Sequence, residues 1–197
     1  MRRLATGRFT TFAFLLAIVA WMWLAMMLTH ELGHVLAAYM TGGVITSVEL
    51  RPGYLSHTLV RPNPRPGVVL WSGFLMGWFA PQLSMPAWQL QRAFIGPTLR
   101  AWAAFCLLAG GSYFATGGGE RLTDTGQLTA LGWQPWLLVT IGLAVAAWGY
   151  LRSRDAWIAF AKQLDATSPT WRTAVGWWAF LATWCAGQWV LHAAVCP

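Results

Sequence analysis

Residues 12–39, FAFLLAIVAWMWLAMMLTHELGHVLAAY, form the longest apolar run of the chain, and the run is interrupted by charge or imidazole only near its end. An apolar stretch of this length predicts a membrane-spanning helix. On one helix His30 and His34 share a face, because they are four residues apart, and their Cβ atoms are about 6 Å from each other. This spacing suits two nitrogen ligands of a tetrahedral zinc ion.

The residues between the two histidines extend this pattern. Glu31 follows His30, so its carboxylate can reach a metal-bound water without ligating the metal, which is the general-base position of H-E-x-x-H zinc hydrolases. Gly33 leaves a gap in the helix surface through which another backbone could approach. The alternative is a polar helix end at the water interface. Charged groups near the bilayer centre cost roughly 2.5 to 3.5 kcal/mol each. A chance occurrence of this motif, with no partner for its charged groups, is therefore disfavoured.

The motif and the residues after it resemble a known family. His30-Glu31-Leu32-Gly33-His34 in a first membrane helix, followed by Thr41-Gly42-Gly43 and a strand-like segment at 44–50, resembles the site-2 protease family of intramembrane zinc metalloproteases. More narrowly, it resembles the small bacterial branch without a PDZ domain. The resemblance implies a multi-pass enzyme of the bacterial inner membrane that cleaves membrane-anchored proteins.

Composition places the chain in a membrane independently of the motif. Hydrophobic residues make up 57% and charged residues 10%, and the mean hydropathy is +0.49, as in proteins embedded in a lipid bilayer. The 197 residues leave room for a single membrane-embedded domain, 1–197. The net charge of +7 does not indicate nucleic acid, since Lys and Arg are dispersed at the ends of apolar runs, where they anchor helices at headgroups. Nothing indicates an organic cofactor.

A β-hairpin is predicted directly after the first helix. Segments 44–50 and 54–60 alternate or carry β-branched residues, and Pro52-Gly53 between them favours a type II turn. Beside a metal, such a hairpin could pair its edge strand with an extended substrate, or it could be a simple lid or spacer. His57 lies on the hairpin and is expected at the surface rather than as a third ligand.

Four further apolar segments follow, at 68–81, 101–115, 136–151 and 175–195. The predicted fold is therefore an all-α polytopic membrane protein with about five to six transmembrane helices and a short β-hairpin after the first. The small residues Ser72, Gly73 and Gly77 suit a helix that packs closely on a neighbour. They resemble the glycine-rich second helix of the family, which packs on the metal helix, although ordinary close packing explains them equally well.

A hydrolytic zinc usually takes three protein ligands, so the His pair needs a distant partner. Asp155 and Asp165 lie in a basic amphipathic stretch typical of a membrane interface, which leaves Asp124 as the best remaining candidate. The family supplies its third ligand as an Asp in a later segment, commonly followed by Gly, and Asp124-Thr125-Gly126 resembles that pattern with one residue inserted. The alternative role for Asp124 is the N-cap of a helix over 125–131.

Charge also suggests a topology. If five spans alternate, the N-terminus and the linkers 81–100 and 152–172 share one side, which the positive-inside rule makes cytoplasmic. That side carries nine of the thirteen Lys and Arg: Arg2, Arg3, Arg8, Arg92, Arg100, Arg152, Arg154, Lys162 and Arg172. His34 and Asp124 then emerge together on the opposite side. The metal of the resembled family generally lies toward the cytosolic leaflet, so the orientation stays open.

The sequence thus predicts an intramembrane zinc endopeptidase in which His30, His34 and Asp124 hold Zn²⁺ and Glu31 is the general base. One alternative is a catalytically inactive, protease-like membrane subunit or scaffold of a larger complex. Another is a small transporter or metal permease in which the His pair conducts ions. The substrate and the oligomeric state are not encoded in any motif.

Overall fold

The computed structural model describes residues 2–90 and 94–195. It is about 80% helical and carries one small two-stranded sheet. A 3-10 helix continues α2 over Ala80–Gln89, and another covers Gly117–Gly119. The other elements in chain order are α1 (Arg2–Thr41), β1 (Ile45–Glu49), β2 (His57–Val60), α2 (Pro66–Phe79), α3 (Ile95–Thr116), α4 (Asp124–Ala130), α5 (Pro135–Ala166) and α6 (Trp171–Val195).

Three helices of the described chain are long and apolar enough to cross a membrane. They cover Gly7–Thr41, Pro66–Gln89 and Pro135–Ala166. The expectation of a helical, membrane-type protein is confirmed at this level. The count of five to six spans stays a prediction, because α3 and α6 are not among the three.

The hairpin forms where the sequence predicts it. The two strands are antiparallel, and the turn is closed by the Tyr54 N–H, which donates to the Arg51 carbonyl at 3.2 Å. Gly53 has φ +91°, the left-handed value that a type II turn needs at its third residue. The second strand begins at His57 rather than at residue 54, because the Tyr54 N–H is already bonded within the turn and the ladder starts with the pair Glu49 and His57. The Tyr54 ring lies against the Arg51 guanidinium, 4.2 Å from it.

Two buried clusters fix the helices around α1 and α2. The first joins α1 to α3, α5 and α6 through residues that include Phe14, Trp21, Ala104, Phe160 and Leu181. The second joins α2 to α3, α4 and α5 through Leu70, Phe74, Trp78, Leu107, Phe114, Leu128 and Leu138. Leu128 is fully buried, so this second cluster determines where the short α4 lies against the rest of the bundle.

The later helices extend beyond their apolar segments. The segment 152–172, which the topology argument treats as a linker between spans, is mostly helical, because α5 continues to Ala166 and α6 begins at Trp171. The inner face of this polar half is buried at Ser153, Ala156 and Phe160, so packing holds it helical although its outer face is charged. α3 likewise starts at Ile95. Arg92, which entered the charge argument, lies outside the described residues.

Candidate metal centre

Three ligating atoms from two distant parts of the chain converge on one point. Asp124 Oδ2 lies 2.9 Å from His30 Nε2 and 3.3 Å from His34 Nε2, and the two imidazole nitrogens are 3.1 Å apart. His30 and His34 come from consecutive turns of α1, whereas Asp124 is the first residue of α4. The three side chains are between 5% and 19% exposed. The group could hold a metal ion, as the sequence predicted for these residues.

A hydrogen bond sets the tautomer of His34. Its Nδ1 lies 2.8 Å from the carbonyl oxygen of Val69 in α2. A carbonyl only accepts, so Nδ1 carries the proton and donates, and Nε2 of the neutral ring presents a lone pair toward Asp124 and His30. This outer contact also fixes the plane of the ring. No sequence pattern signals it, because the partner is a backbone oxygen.

Glycines bring α2 against the metal-binding face of α1. A Cβ on Gly33 would overlap the Ser72 carbonyl oxygen, so the two backbones are in contact there, and the gap expected at Gly33 is filled by α2. A Cβ on Gly73 would overlap Cε1 and Nε2 of the His34 ring. Gly77 is different, since its Cβ would lie 3.7 Å from the Cβ of His30, an ordinary contact. Gly73 is therefore the residue that makes room for the ligand.

Asp124 is not the N-cap of α4. Thr123 has that role, since its Oγ1 accepts from the Gly126 N–H at 3.0 Å. The capping interpretation of Asp124 is thus wrong, and its carboxylate is directed to the histidines instead. Thr123 also donates to the Glu120 carbonyl at 2.8 Å, which ties the start of α4 to the loop before it. Because Thr123 caps α4, the Asp124 carboxylate is available as a metal ligand.

Glu31 is held by the hairpin. Its side chain is buried, with the residue 4% exposed, and Oε2 accepts a hydrogen bond from Thr58 Oγ1 at 2.7 Å. Thr58 lies on β2, so the hairpin is connected directly to the carboxylate of the H-E-x-x-H motif. Sequence reasoning missed Thr58, because nothing local marks which hydroxyl of a strand will meet a helix 27 residues earlier.

A second polar cluster connects the hairpin to α6. Arg51 Nε lies 2.9 and 3.1 Å from the two carboxylate oxygens of Glu49. The hydrogen bonds from Arg51 hold the pKa of Glu49 at about 2 against the opposing effect of burial. His192 of α6 donates from Nδ1 to the Val48 carbonyl at 2.9 Å and lies 3.6 Å from Glu49. This cluster binds the strand end to the last helix.

The other candidate residues lie away from the metal group. His57 is exposed, as expected for a surface residue, and its Nδ1 contacts the Leu55 carbonyl at 3.1 Å. Asp155 and Asp165 on α5 are exposed too. Within residues 2–90 and 94–195, the metal-type cluster found is His30, His34 and Asp124. Comparisons with protein-family models, with curated proteins and with solved structures found no match to this chain.

Proposed function

We propose that this protein is an intramembrane zinc metalloendopeptidase of the site-2 protease kind. Its substrates would be membrane-anchored proteins, cut within or next to their membrane-spanning segments. The observation that carries the proposal is the convergence of His30, His34 and Asp124. In tetrahedral zinc sites with bonds of about 2.0 to 2.1 Å, two ligand atoms lie about 3.3 Å apart. The separations of 2.9, 3.1 and 3.3 Å are close to that value.

The donor set also fits a hydrolytic zinc. Two imidazoles and a carboxylate are ligands that zinc uses in catalytic sites, where three protein ligands leave one position open. His34 is prepared for ligation by its hydrogen bond to Val69. When bound, zinc supplies Lewis-acid chemistry that polarises a carbonyl and makes water a nucleophile at neutral pH.

Glu31 and Thr58 carry the proton chemistry of this proposal. The Glu31 carboxylate takes the proton from the attacking water and passes it to the departing amine. The 2.7 Å hydrogen bond from Thr58 fixes one carboxylate oxygen and so orients the other. Because Glu31 is buried, it works in a site of low water content, where its interactions with the reacting groups are strong.

A spanning helix is a poor substrate until it unwinds, since its carbonyls are hydrogen-bonded within the helix. The two-stranded hairpin lies beside Glu31 and can accept an extended segment along a strand edge. We further propose that α3 and α6 join the three long apolar helices in crossing the bilayer, so that the protein is multi-pass. The membrane of this proposal is a bacterial inner membrane.

Zinc content per chain, measured on protein purified in detergent without chelator, tests the metal site. We expect about one zinc in wild type and Glu31→Gln, and a strong loss in His34→Ala and Asp124→Ala. His57→Ala and Asp155→Ala are matched controls, since both side chains are exposed and outside the group. Zinc retained in Asp124→Ala would show that the third ligand is a residue other than Asp124. No zinc in wild type would refute the peptidase and favour the scaffold.

Cleavage of single-span proteins in proteoliposomes tests the activity. Wild type and the two control variants should cut some members of a panel of single-span proteins. Glu31→Gln should cut none of them, although it keeps its zinc. Ion flux that persists in Glu31→Gln without any cleavage would instead support a permease.

A further inference from the structure

Two arginine side chains converge on one tryptophan ring, far from the metal group. The guanidinium carbon of Arg152, on α5, lies 5.2 Å from the centre of the Trp88 ring, and that of Arg100, on α3, lies 6.0 Å from it. Trp88 belongs to the 3-10 helix that continues α2. The metal group lies near Tyr113 of α3, whose ring is 6.5 Å from the His30 ring. Tyr113 is about 20 Å from Arg100 along the helix axis, so the arginines form a separate site.

Close packing of three elements places the arginines beside the ring. A Cβ on Gly96 would overlap the Trp88 carbonyl oxygen, so the start of α3 lies directly against the end of the 3-10 helix. A Cβ on Gly149 would overlap the backbone of α3, so α5 is equally close to α3 one turn before Arg152. The indole itself is oriented, because its Nε1 donates to Ser84 Oγ at 3.0 Å. The site is therefore formed by the fold and not by one flexible segment.

Neither guanidinium has an anionic partner among residues 2–90 and 94–195. The ion pairs found there involve the metal group and Glu49, and they include neither Arg100 nor Arg152. Both arginines and Trp88 are partly exposed, so an external group can reach them. A guanidinium that stacks on an aromatic ring keeps the N–H groups at its edge free. Two like charges near one ring repel each other, and an anion that accepts hydrogen bonds from both removes this repulsion.

Exposed apolar side chains continue this polar site toward the apolar part of α5. Trp148 is one turn before Arg152 on the same face of α5, and it is exposed. Met85 and Leu90 are within three residues of Trp88 and are exposed too. α5 is one of the helices that are long and apolar enough to cross a membrane, where such side chains face acyl chains and Trp concentrates below the headgroups. A ligand that fits both parts has an anionic head and a long apolar tail.

We propose that Arg100, Arg152 and Trp88 bind the phosphate group of one anionic phospholipid, such as phosphatidylglycerol. The two guanidiniums donate from their free edges to phosphate oxygens, and the acyl chains lie along α5 beside Trp148. Phosphatidylcholine has the same phosphate but brings a cationic choline next to the arginines, so it gains less. A free phosphate ion gains the hydrogen bonds without the apolar contact. The site does not depend on the proposed peptidase function.

Native mass spectrometry of the full-length protein in detergent tests the assignment. The protein is titrated with phosphatidylglycerol or with phosphatidylcholine of the same acyl chains, and the bound lipid per chain gives the dissociation constants. We expect the first phosphatidylglycerol to bind about tenfold more tightly than phosphatidylcholine. This preference should fall to about threefold in Arg100→Gln or Arg152→Gln and disappear in the double variant. Arg154→Gln removes the same charge at an exposed position of α5, so it is the matched control and should keep the full preference.

Two further arms separate the lipid from a bare anion and binding from folding. Inorganic phosphate at the concentration of the lipid should not displace phosphatidylglycerol, because it has no acyl chains. Trp88→Leu should weaken phosphatidylglycerol binding, since the guanidiniums lose the ring on which they stack. Thermal unfolding in the same detergent shows whether each variant is folded. If a glutamine variant is not folded, lysine replaces it, since lysine keeps the charge but lacks the planar fork and should also lower the preference.

Four results would overturn the assignment: equal binding of the two lipids by folded wild type, an unchanged preference in the folded double variant, an equal loss of preference in Arg154→Gln, or displacement of the lipid by inorganic phosphate at equal concentration. The last result would leave an anion site that takes no lipid. None of these outcomes concerns zinc content or cleavage, so the lipid site and the peptidase can each fail without the other.

Discussion

Replacing Gly73 by alanine should damage the metal site without touching a ligand. The added Cβ would overlap Cε1 and Nε2 of His34 and would lie 3.0 Å from Cδ2. Restoring an ordinary contact requires a movement of about 1 Å between the ring and α2. The His34 ring cannot turn away freely, because its Nδ1 is hydrogen-bonded at 2.8 Å to the carbonyl of Val69, which lies on α2 as Gly73 does.

A shift of this size is several times the tolerance of about 0.2 Å for zinc–ligand distances. We therefore expect zinc affinity to fall by roughly 10- to 100-fold, the range seen when the support of a ligand is removed. Overpacking should also lower the free energy of unfolding by about 1 to 3 kcal/mol. The measurement is a competition titration against a chromophoric zinc chelator, with thermal unfolding in the same detergent.

Gly77→Ala is the matched control, one turn further along α2. Its Cβ would meet His30 at 3.7 Å, so it should bind zinc as wild type does. Zinc affinity in Gly73→Ala equal to that in Gly77→Ala would refute the view that this glycine makes room for the ligand.

Two further predictions concern the hairpin. Thr58→Val removes the hydrogen bond to Glu31 and should lower kcat about tenfold or more, with the zinc content unchanged. The control is Thr46→Val, at an exposed position of β1. An equal loss of kcat in Thr46→Val would contradict the positioning role of Thr58. The depressed pKa of Glu49, about 2 against an ordinary 4.5, contributes stability that is present above about pH 4.5 and lost as pH falls toward 2. Thermal unfolding between pH 7 and 3 should show this loss in wild type and less of it in Glu49→Gln; parallel curves would disprove it.

Much of the site on α1 could be predicted from local sequence. The helical period alone brings His30 and His34 onto one face, and the apolar run around them makes the helix itself predictable. The hairpin turn could also be predicted from local sequence, since Pro52-Gly53 has a strong backbone preference, and Gly53 takes the expected positive φ. The strand after it begins only at His57, because the Tyr54 backbone is hydrogen-bonded within the turn, and a period-2 pattern does not show where a turn ends and a strand begins.

The length of α5 shows the limit of hydropathy. Charged residues after residue 151 end the apolar segment, but the helix continues because Ser153, Ala156 and Phe160 pack inward on one face. Packing of a single face is enough to keep a charged segment helical. The residues on that face are few and widely spaced, so they give a weak sequence signal.

The sequence by itself determined the long apolar helix, its H-E-x-x-H face and the hairpin turn, because each depends on residues within a few positions of one another. Only the tertiary structure decided that Asp124, 94 residues after His30, meets the histidines rather than capping its own helix. The same is true of the Val69 carbonyl on His34 and of Thr58 on Glu31. These contacts join separate elements, and their positions follow from how buried faces pack rather than from any local preference of the chain.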